Sequence, residues 1–238
     1  MKHSRIGGLL VAAGLVGHVL AGVPEDLKQA DAAYGRSDFA TALRLWQPLA
    51  AKGVPDAQIG LGLMYYLGTG VPKDPVEAVK WYRKAADQGV ARAQMSLGLA
   101  YGLGQGVPRD FSEAAKWFRK AADQGYALAE YYLGECYRLG EGVPQDSAEA
   151  AKWLRRAADK GEVKAQLNLG AMYQSAVGVA RNDVEALKWF TLAASRSNDR
   201  NTDVRDQAAT NRDNIAAKMT PAQVAEAGKL ARQWKPVK

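Results

Sequence analysis

The feature that most limits what this chain can fold into is an internal repeat of fixed length. Trp81, Trp117, Trp153 and Trp189 lie 36 residues apart, and each follows a Glu-Ala-x-Lys tetrad that begins at Glu77, Glu113, Glu149 or Glu185. Gly53, Gly89, Gly125 and Gly161 keep the same spacing. So do the Leu-Gly pairs that start at Leu61, Leu97, Leu133 and Leu169, and the tyrosines Tyr65, Tyr101, Tyr137 and Tyr173. A supersecondary unit of this period cannot bury its apolar face alone, so successive units must stack on one another.

Each unit reads as two helices. In the first, Ala57, Leu61 and Tyr65 fall at i, i+4 and i+8, a single helical stripe. Gly62, Gly98, Gly134 and Gly170 interrupt these helices, where glycine weakens propensity by up to about 1 kcal/mol relative to Ala. Their recurrence predicts tight antiparallel packing, with a neighbouring backbone too close for any side chain. The connector from Gly68 to Asp74 recurs at 104–110 and 140–146 and ends the first helix. Asp74 then serves as N-cap, Pro75 occupies N1, and Glu77 falls at N3, where its carboxylate can reach back to the N-cap amide. The same box is predicted for Asp110 with Glu113, Asp146 with Glu149 and Asn182 with Glu185. The second helix runs to a C-terminal glycine such as Gly89.

The unit from Ala57 to Gly89 closely resembles the Sel-one-like repeat (SLR), a relative of the tetratricopeptide repeat. It reads Ala-x-x-x-Leu-Gly-x-x-Tyr-x-x-Gly-x-Gly-Val, then Asp, Ala, Trp-aromatic, Ala-Ala and Gly in register. The resemblance implies an all-α, right-handed α/α superhelical solenoid of helix-turn-helix repeats. It also implies a non-catalytic adaptor or scaffold that binds a protein partner and takes no cofactor. Four repeats are expected over 54–197 (54–89, 90–125, 126–161 and 162–197), after a degenerate N-terminal repeat or cap over 22–53 and before capping helices over 198–238. The fourth unit departs from the pattern at Ala176, Ala180 and Ser197, which predicts an altered connector. At the end of the chain, Thr220, Pro221 and Gln223 form an N-cap, N1 proline and capping box for a last helix ending near Trp234.

The N-terminus has a separate character. Lys2 and Arg5 precede an apolar run from Ile6 to Ala21 without an acid, the layout of a secretory signal peptide over residues 1–21. The run is short for a membrane span and is loosened by four glycines. The expected location is periplasmic or secreted, in a bacterial envelope, with an uncleaved anchor as the alternative. Cleavage after Ala21 leaves 30 basic against 25 acidic side chains and removes His3 and His18, the only two histidines. Histidine-based nucleophile systems, general bases and imidazole zinc sites then have no residues to build them. Cys136 is the single cysteine and is expected to be buried.

Function is therefore sought where the repeats differ. At about 100° per residue, positions 57, 58, 61, 62 and 65 share one side of the first helix, and 59, 60, 63, 66 and 67 lie opposite. The third unit fills the opposite positions with the most polar and aromatic set, the composition of binding anchors. A groove is predicted around Tyr66, Tyr131, Tyr132, Glu135, Arg138, Asn168 and Gln174. Three further features bear on function. The tryptophan ladder reads as core rather than a sugar-stacking surface. The cations at 80, 83 and 84 and their equivalents at 36 and 72 residues on form either a ridge for an anionic polymer or a set of intrahelical pairs such as Glu77 with Lys80. Glu130, Glu135 and Glu141 are spare carboxylates, but their spacing specifies no glycosidase. The alternative to a protein adaptor is a carbohydrate-binding module for peptidoglycan or exopolysaccharide. Secretion argues against nucleic acid.

Overall fold

A computed structural model describes residues 24–195 and 202–237. The leader expected over residues 1–21 lies outside the described residues, as does Ser197. Twelve α-helices and no strand occur among the described residues: α1 (Glu25–Gly35), α2 (Phe39–Ala51), α3 (Pro55–Leu67), α4 (Pro75–Asp87), α5 (Ala91–Leu103), α6 (Phe111–Asp123), α7 (Ala127–Leu139), α8 (Ser147–Asp159), α9 (Val163–Ser175), α10 (Asp183–Ser195), α11 (Thr202–Ala216) and α12 (Pro221–Gln233). The chain divides into two units, residues 1–121 and 122–238. In the first, α1 to α5 pack each against the next; in the second, α7 to α11 do so, and α12 lies against α10. Within each unit this is the helix-turn-helix stacking of an all-α solenoid.

The helix pairs are locked by aromatic or aliphatic side chains seated on the recurrent glycines. A Cβ on Gly62 would stand 2.5 Å from the Tyr82 ring, on Gly98 2.6 Å from Phe118, on Gly134 2.8 Å from Leu154 and on Gly170 2.7 Å from Phe190. The partner is therefore a ring or branched side chain of the second helix, not the backbone alone that the sequence suggested. Tyr82, Phe118, Leu154 and Phe190 are all buried, and burial of such a side chain is worth roughly 1.5–3 kcal/mol. Trp117, Trp153 and Trp189 are buried and Trp81 is partly so, as core packing requires. Cys136 is also buried, which pushes its thiol up to about 12.

The predicted capping boxes form only in half. Asp74, Asp110, Asp146 and Asn182 each accept from the backbone N–H three residues on, at 2.9–3.0 Å. The glutamates do not reach back. The N-cap amides instead donate across the connector to the carbonyls of Tyr65, Tyr101, Tyr137 and Tyr173. That bond closes the connector on the first helix and leaves each glutamate for the side chains one turn later. The full reciprocal box is present at Thr220 with Gln223.

The departures in the fourth repeat have a physical order. Gly178 keeps its glycine because a Cβ there would meet the Ser147 carbonyl oxygen at 2.0 Å. Ala176 ends α9 with φ 56°, a strained but accessible left-handed conformation for a residue with a Cβ.

Gly98→Ala separates packing from propensity. Alanine would gain about 1 kcal/mol of helix propensity, whereas overpacking against Phe118 costs about 1–3 kcal/mol. Urea unfolding is expected to show lower stability in the variant; equal or higher stability contradicts the glycine seat.

Candidate functional site

The two-sided helix of the sequence analysis resolves into three surfaces, and this narrows the groove. Ile59, Met95 and Leu167 are buried, and a Cβ on Gly60 would stand 2.7 Å from the Trp46 ring of α2. Those positions face neighbouring helices. The remaining strip of each first helix carries Leu63, Tyr66 and Leu67 on α3, and Arg138 with Leu139 on α7. On α9 it carries Ala171, Gln174 and Ser175.

Five of the seven predicted residues come together on α7 and α9. Tyr131 and Tyr132 meet edge to face, with ring centroids 5.1 Å apart. Tyr132 is 7% exposed and Glu135 8%, so both are supports of the patch rather than open anchors. Glu135 accepts from Arg138 Nε at 2.9 Å and Nη2 at 2.7 Å, and from Asn168 Nδ2 at 2.8 Å. The fork geometry holds the guanidinium rigidly, and the Asn168 bond ties one first helix to the next. Burial, with Glu135 second, raises the Tyr131 phenol far above its ordinary range; burial, then Glu162, pushes Tyr132 up to about 12. Both stay neutral. Glu162 caps α9, and burial raises its carboxyl against the Lys164 backbone N–H and charge. Gln174 is half-buried two turns further along α9, without a hydrogen bond to this cluster among the described residues. Tyr66 belongs to the first unit, where its hydroxyl donates to Gln105 Oε1 and burial raises its phenol.

The basic ladder is absorbed by the repeats. Lys80, Lys116 and Lys152 pair with the glutamates three residues earlier at 2.8, 2.6 and 2.9 Å. Lys84, Lys120 and Arg156 lie 3.9, 3.9 and 4.4 Å above the Trp81, Trp117 and Trp153 rings. Arg83 and Arg155 donate to the Tyr101 and Tyr173 hydroxyls, stacked between those rings and Trp117 or Trp189 at 5.1–5.7 Å. These are the intrahelical pairs weighed against a ridge, with cation–π contacts added.

A buried ion cluster escaped the sequence reading. Gln58, Gln94 and Gln166 occupy one repeat position, and each donates to a carbonyl eight residues earlier at 3.1–3.3 Å. The third repeat has Glu130 there, fully buried, bound to Lys160 Nζ at 2.8 Å and Arg156 at 2.9 Å. Lys160 also donates to the Gly125 carbonyl at 2.7 Å. Gln88 performs the matching task in the first repeat, donating to the Gly53 carbonyl and to Gln58. A Gln–Gln pair has been exchanged for Glu–Lys. Aligning 58, 94, 130 and 166 beside 88, 124 and 160 would have exposed the joint exchange. No group of three or more His, Cys, Asp or Glu residues converges as metal ligands do among the described residues.

A scan of protein families matches the Sel1 repeat at residues 55–90, 91–126, 127–162 and 163–198. The chain belongs to the Sel1 repeat family. It is similar to a solved Sel1 repeat protein from Oxalobacter formigenes, with 29% identity and TM-score 0.72 over 89% of this chain and 86% of that one. A protective antigen of uropathogenic Escherichia coli displaying an SLR fold shares 29% identity at TM-score 0.57 over 88% of this chain; the match spans 52% of the antigen. A Sel1 repeat protein from Klebsiella pneumoniae, 22% identical at TM-score 0.51 over 80% of this chain and 91% of that one, shares the fold. No curated protein matches the chain. The Sel1 register begins one residue after the repeat boundaries read from the sequence.

The Glu130 cluster gives a double-mutant test. Lys160→Gln removes one of the two cations from a buried carboxylate and is expected to cost about 2 kcal/mol. Glu130→Gln with Lys160→Gln recreates the pair found in the first repeat and should recover most of that loss. Denaturant unfolding of both variants checks it; a double variant no better than Lys160→Gln contradicts the exchange.

Proposed function

We propose that the chain is an exported, non-catalytic adaptor that binds a protein partner through the first-helix strip of its Sel1 repeats, in the periplasm or secreted within a bacterial envelope process. The observation that carries this reading is the Asn168–Glu135–Arg138 network. It fixes a polar patch on α7 and α9 beside the Tyr131–Tyr132 pair, while α5 carries Leu99 and Leu103 on the equivalent strip. A rigid patch loses little conformational entropy on binding, and stacked helices present it without reactive groups. Half-buried Arg138 and Gln174, with exposed Ala171, are the contacts of this reading; Tyr131, Tyr132, Glu135 and Asn168 are their support, and Tyr66 is a contact on the first unit.

The domain assignment belongs to the same reading. Residues 1–21 direct export, 22–53 and 198–238 cap the array, and the four repeats between them carry the surface. A peptidoglycan or exopolysaccharide partner receives less support, because each lysine of the ladder at 80, 116 and 152 has a glutamate beside it that offsets its charge toward an anionic polymer. No helix among the described residues is long and apolar enough to cross a membrane.

Ala171→Arg tests the strip without entering the core. Ala171 is exposed, so thermal unfolding should shift by less than about 0.5 kcal/mol. Co-purification of the partner with the tagged protein should be lost. Retained co-purification with an intact fold would place the partner elsewhere.

A further inference from the structure

Two departures from the repeat meet at the start of α9. The position before the first helix is Val54 and Val90 in the first two repeats and Tyr126 in the third, but Glu162 in the fourth. In the first unit Val90 packs on the cluster that contains Ile59. The repeat register sets Glu162 against the counterpart of Ile59, which is Tyr131. Beside it, Tyr132 stands where the other repeats have Gly60, Ser96 and Asn168. An apolar contact between successive repeats has thus become a carboxylate against two phenol rings. The electrostatics agree: the Glu162 charge raises both phenols, and for Tyr132 it is the largest charge acting.

Little holds this carboxylate. Glu130, Glu135 and Glu185 are paired with cations. Asp31 accepts from the Trp46 indole, and Asp159 from that of Trp234, whose ring stands edge-on to Trp189. Glu162 has no ion pair among the described residues, and its one hydrogen bond comes from the Lys164 backbone N–H at 3.4 Å. Burial outweighs that bond and the Lys164 charge, and raises the carboxyl. A carboxylate buried without a cation is destabilising, and the first two repeats begin the same helix from valine, so the fold does not call for an acid here. The Tyr131 hydroxyl likewise makes no hydrogen bond among the described residues. Tyr131 and Glu162 are each only half-buried, so both reach solvent.

We propose that Glu162, Tyr131 and Tyr132 form a subsite for an arginine side chain of the protein partner. A guanidinium stacks on a tyrosine ring and donates in a fork to a carboxylate, so it matches both halves of the site. The two rings, inclined at 66° with centroids 5.1 Å apart, supply aromatic surface, and Glu162 supplies a charge that the incoming cation completes. Glu135 does not compete for that cation, because Arg138 and Asn168 already hold its oxygens. The inference rests on the reading that the α7–α9 surface meets the partner, and it names the chemistry at one end of that surface. Ala171 is not part of the subsite, so failure here leaves that reading to be decided by Ala171→Arg.

The probe is acetyl-arginine amide, with acetyl-citrulline amide as its uncharged near-isostere. Each is titrated into the full-length chain and followed through the backbone amide signals of residues 131, 132 and 162–164 by proton–nitrogen NMR. The arginine compound is expected to shift these signals saturably. Binding should be at least about tenfold weaker for the citrulline compound, and for the arginine compound in Glu162→Gln, because a charge-assisted bond is lost. No shift at these signals overturns the proposal. So do equal shifts from both compounds, or arginine binding unchanged in Glu162→Gln. Should Glu162→Gln disturb amide signals throughout the chain, Tyr131→Leu, the residue of the fourth repeat at this place, is the second variant: arginine binding about threefold weaker supports the subsite, and unchanged binding refutes it. Glu162→Val, the residue of the first two repeats, separates a subsite from ordinary packing. It should keep or raise the urea midpoint while losing the arginine compound; a lowered midpoint would make the carboxylate a structural cap of α9 and overturn the proposal.

Discussion

The contact on which the rest depends is the seat of a second-helix side chain on a first-helix glycine. Four times, at Gly62, Gly98, Gly134 and Gly170, the helix gives up propensity so that Tyr82, Phe118, Leu154 or Phe190 can approach the backbone. The trade is favourable because burial of one such side chain outweighs the propensity lost at one glycine. It also fixes the distance between paired helices, and so the positions from which every other side chain in the unit acts.

That spacing brings the tyrosine carbonyl at the end of each first helix to the N-cap amide of the second. The amide is thereby satisfied, and the glutamate at N3 is released to bind lysine at i+3. In the second unit it also accepts from the tryptophan indole at i+4, as Glu149 does from Trp153 and Glu185 from Trp189. One backbone bond thus decides the partners of a whole surface of charges. The cations that looked available in the sequence are held by these acids, by tryptophan faces and by tyrosine hydroxyls. The first-helix strip differs from repeat to repeat, and on α7 and α9 the chain has placed half-buried Arg138 and Gln174 beside exposed Ala171 and Ser175.

Much of this was legible in the sequence. The period, the glycines, the left-handed helix ends and the Thr220 box are all local or periodic, and a linear reading sees them. The half-formed boxes were misread because the competing acceptor, Tyr65 for Asp74, lies nine residues away and is brought close only when the connector closes. Tyr132 and Glu135 were placed in an open groove because a wheel drawn on one helix divides it in two, whereas a stacked helix has neighbours on three sides. Glu130 was seen as a spare acid, since its partners Lys160 and Arg156 stand 30 and 26 residues on. The tail was read only as the end of a capping helix, because its contacts with Asp159 and Trp189 span dozens of residues and have no counterpart in the repeat.

The central claim is that the first-helix strip of α7 and α9, and not the second-helix ridge, meets the partner. In-cell photo-crosslinking tests it most directly, with the reactive group placed at position 171 on α9 or at position 152 on α8, followed by mass spectrometry. The account expects one discrete protein joined through position 171 and none through 152. Adducts from 152 with none from 171 would contradict it.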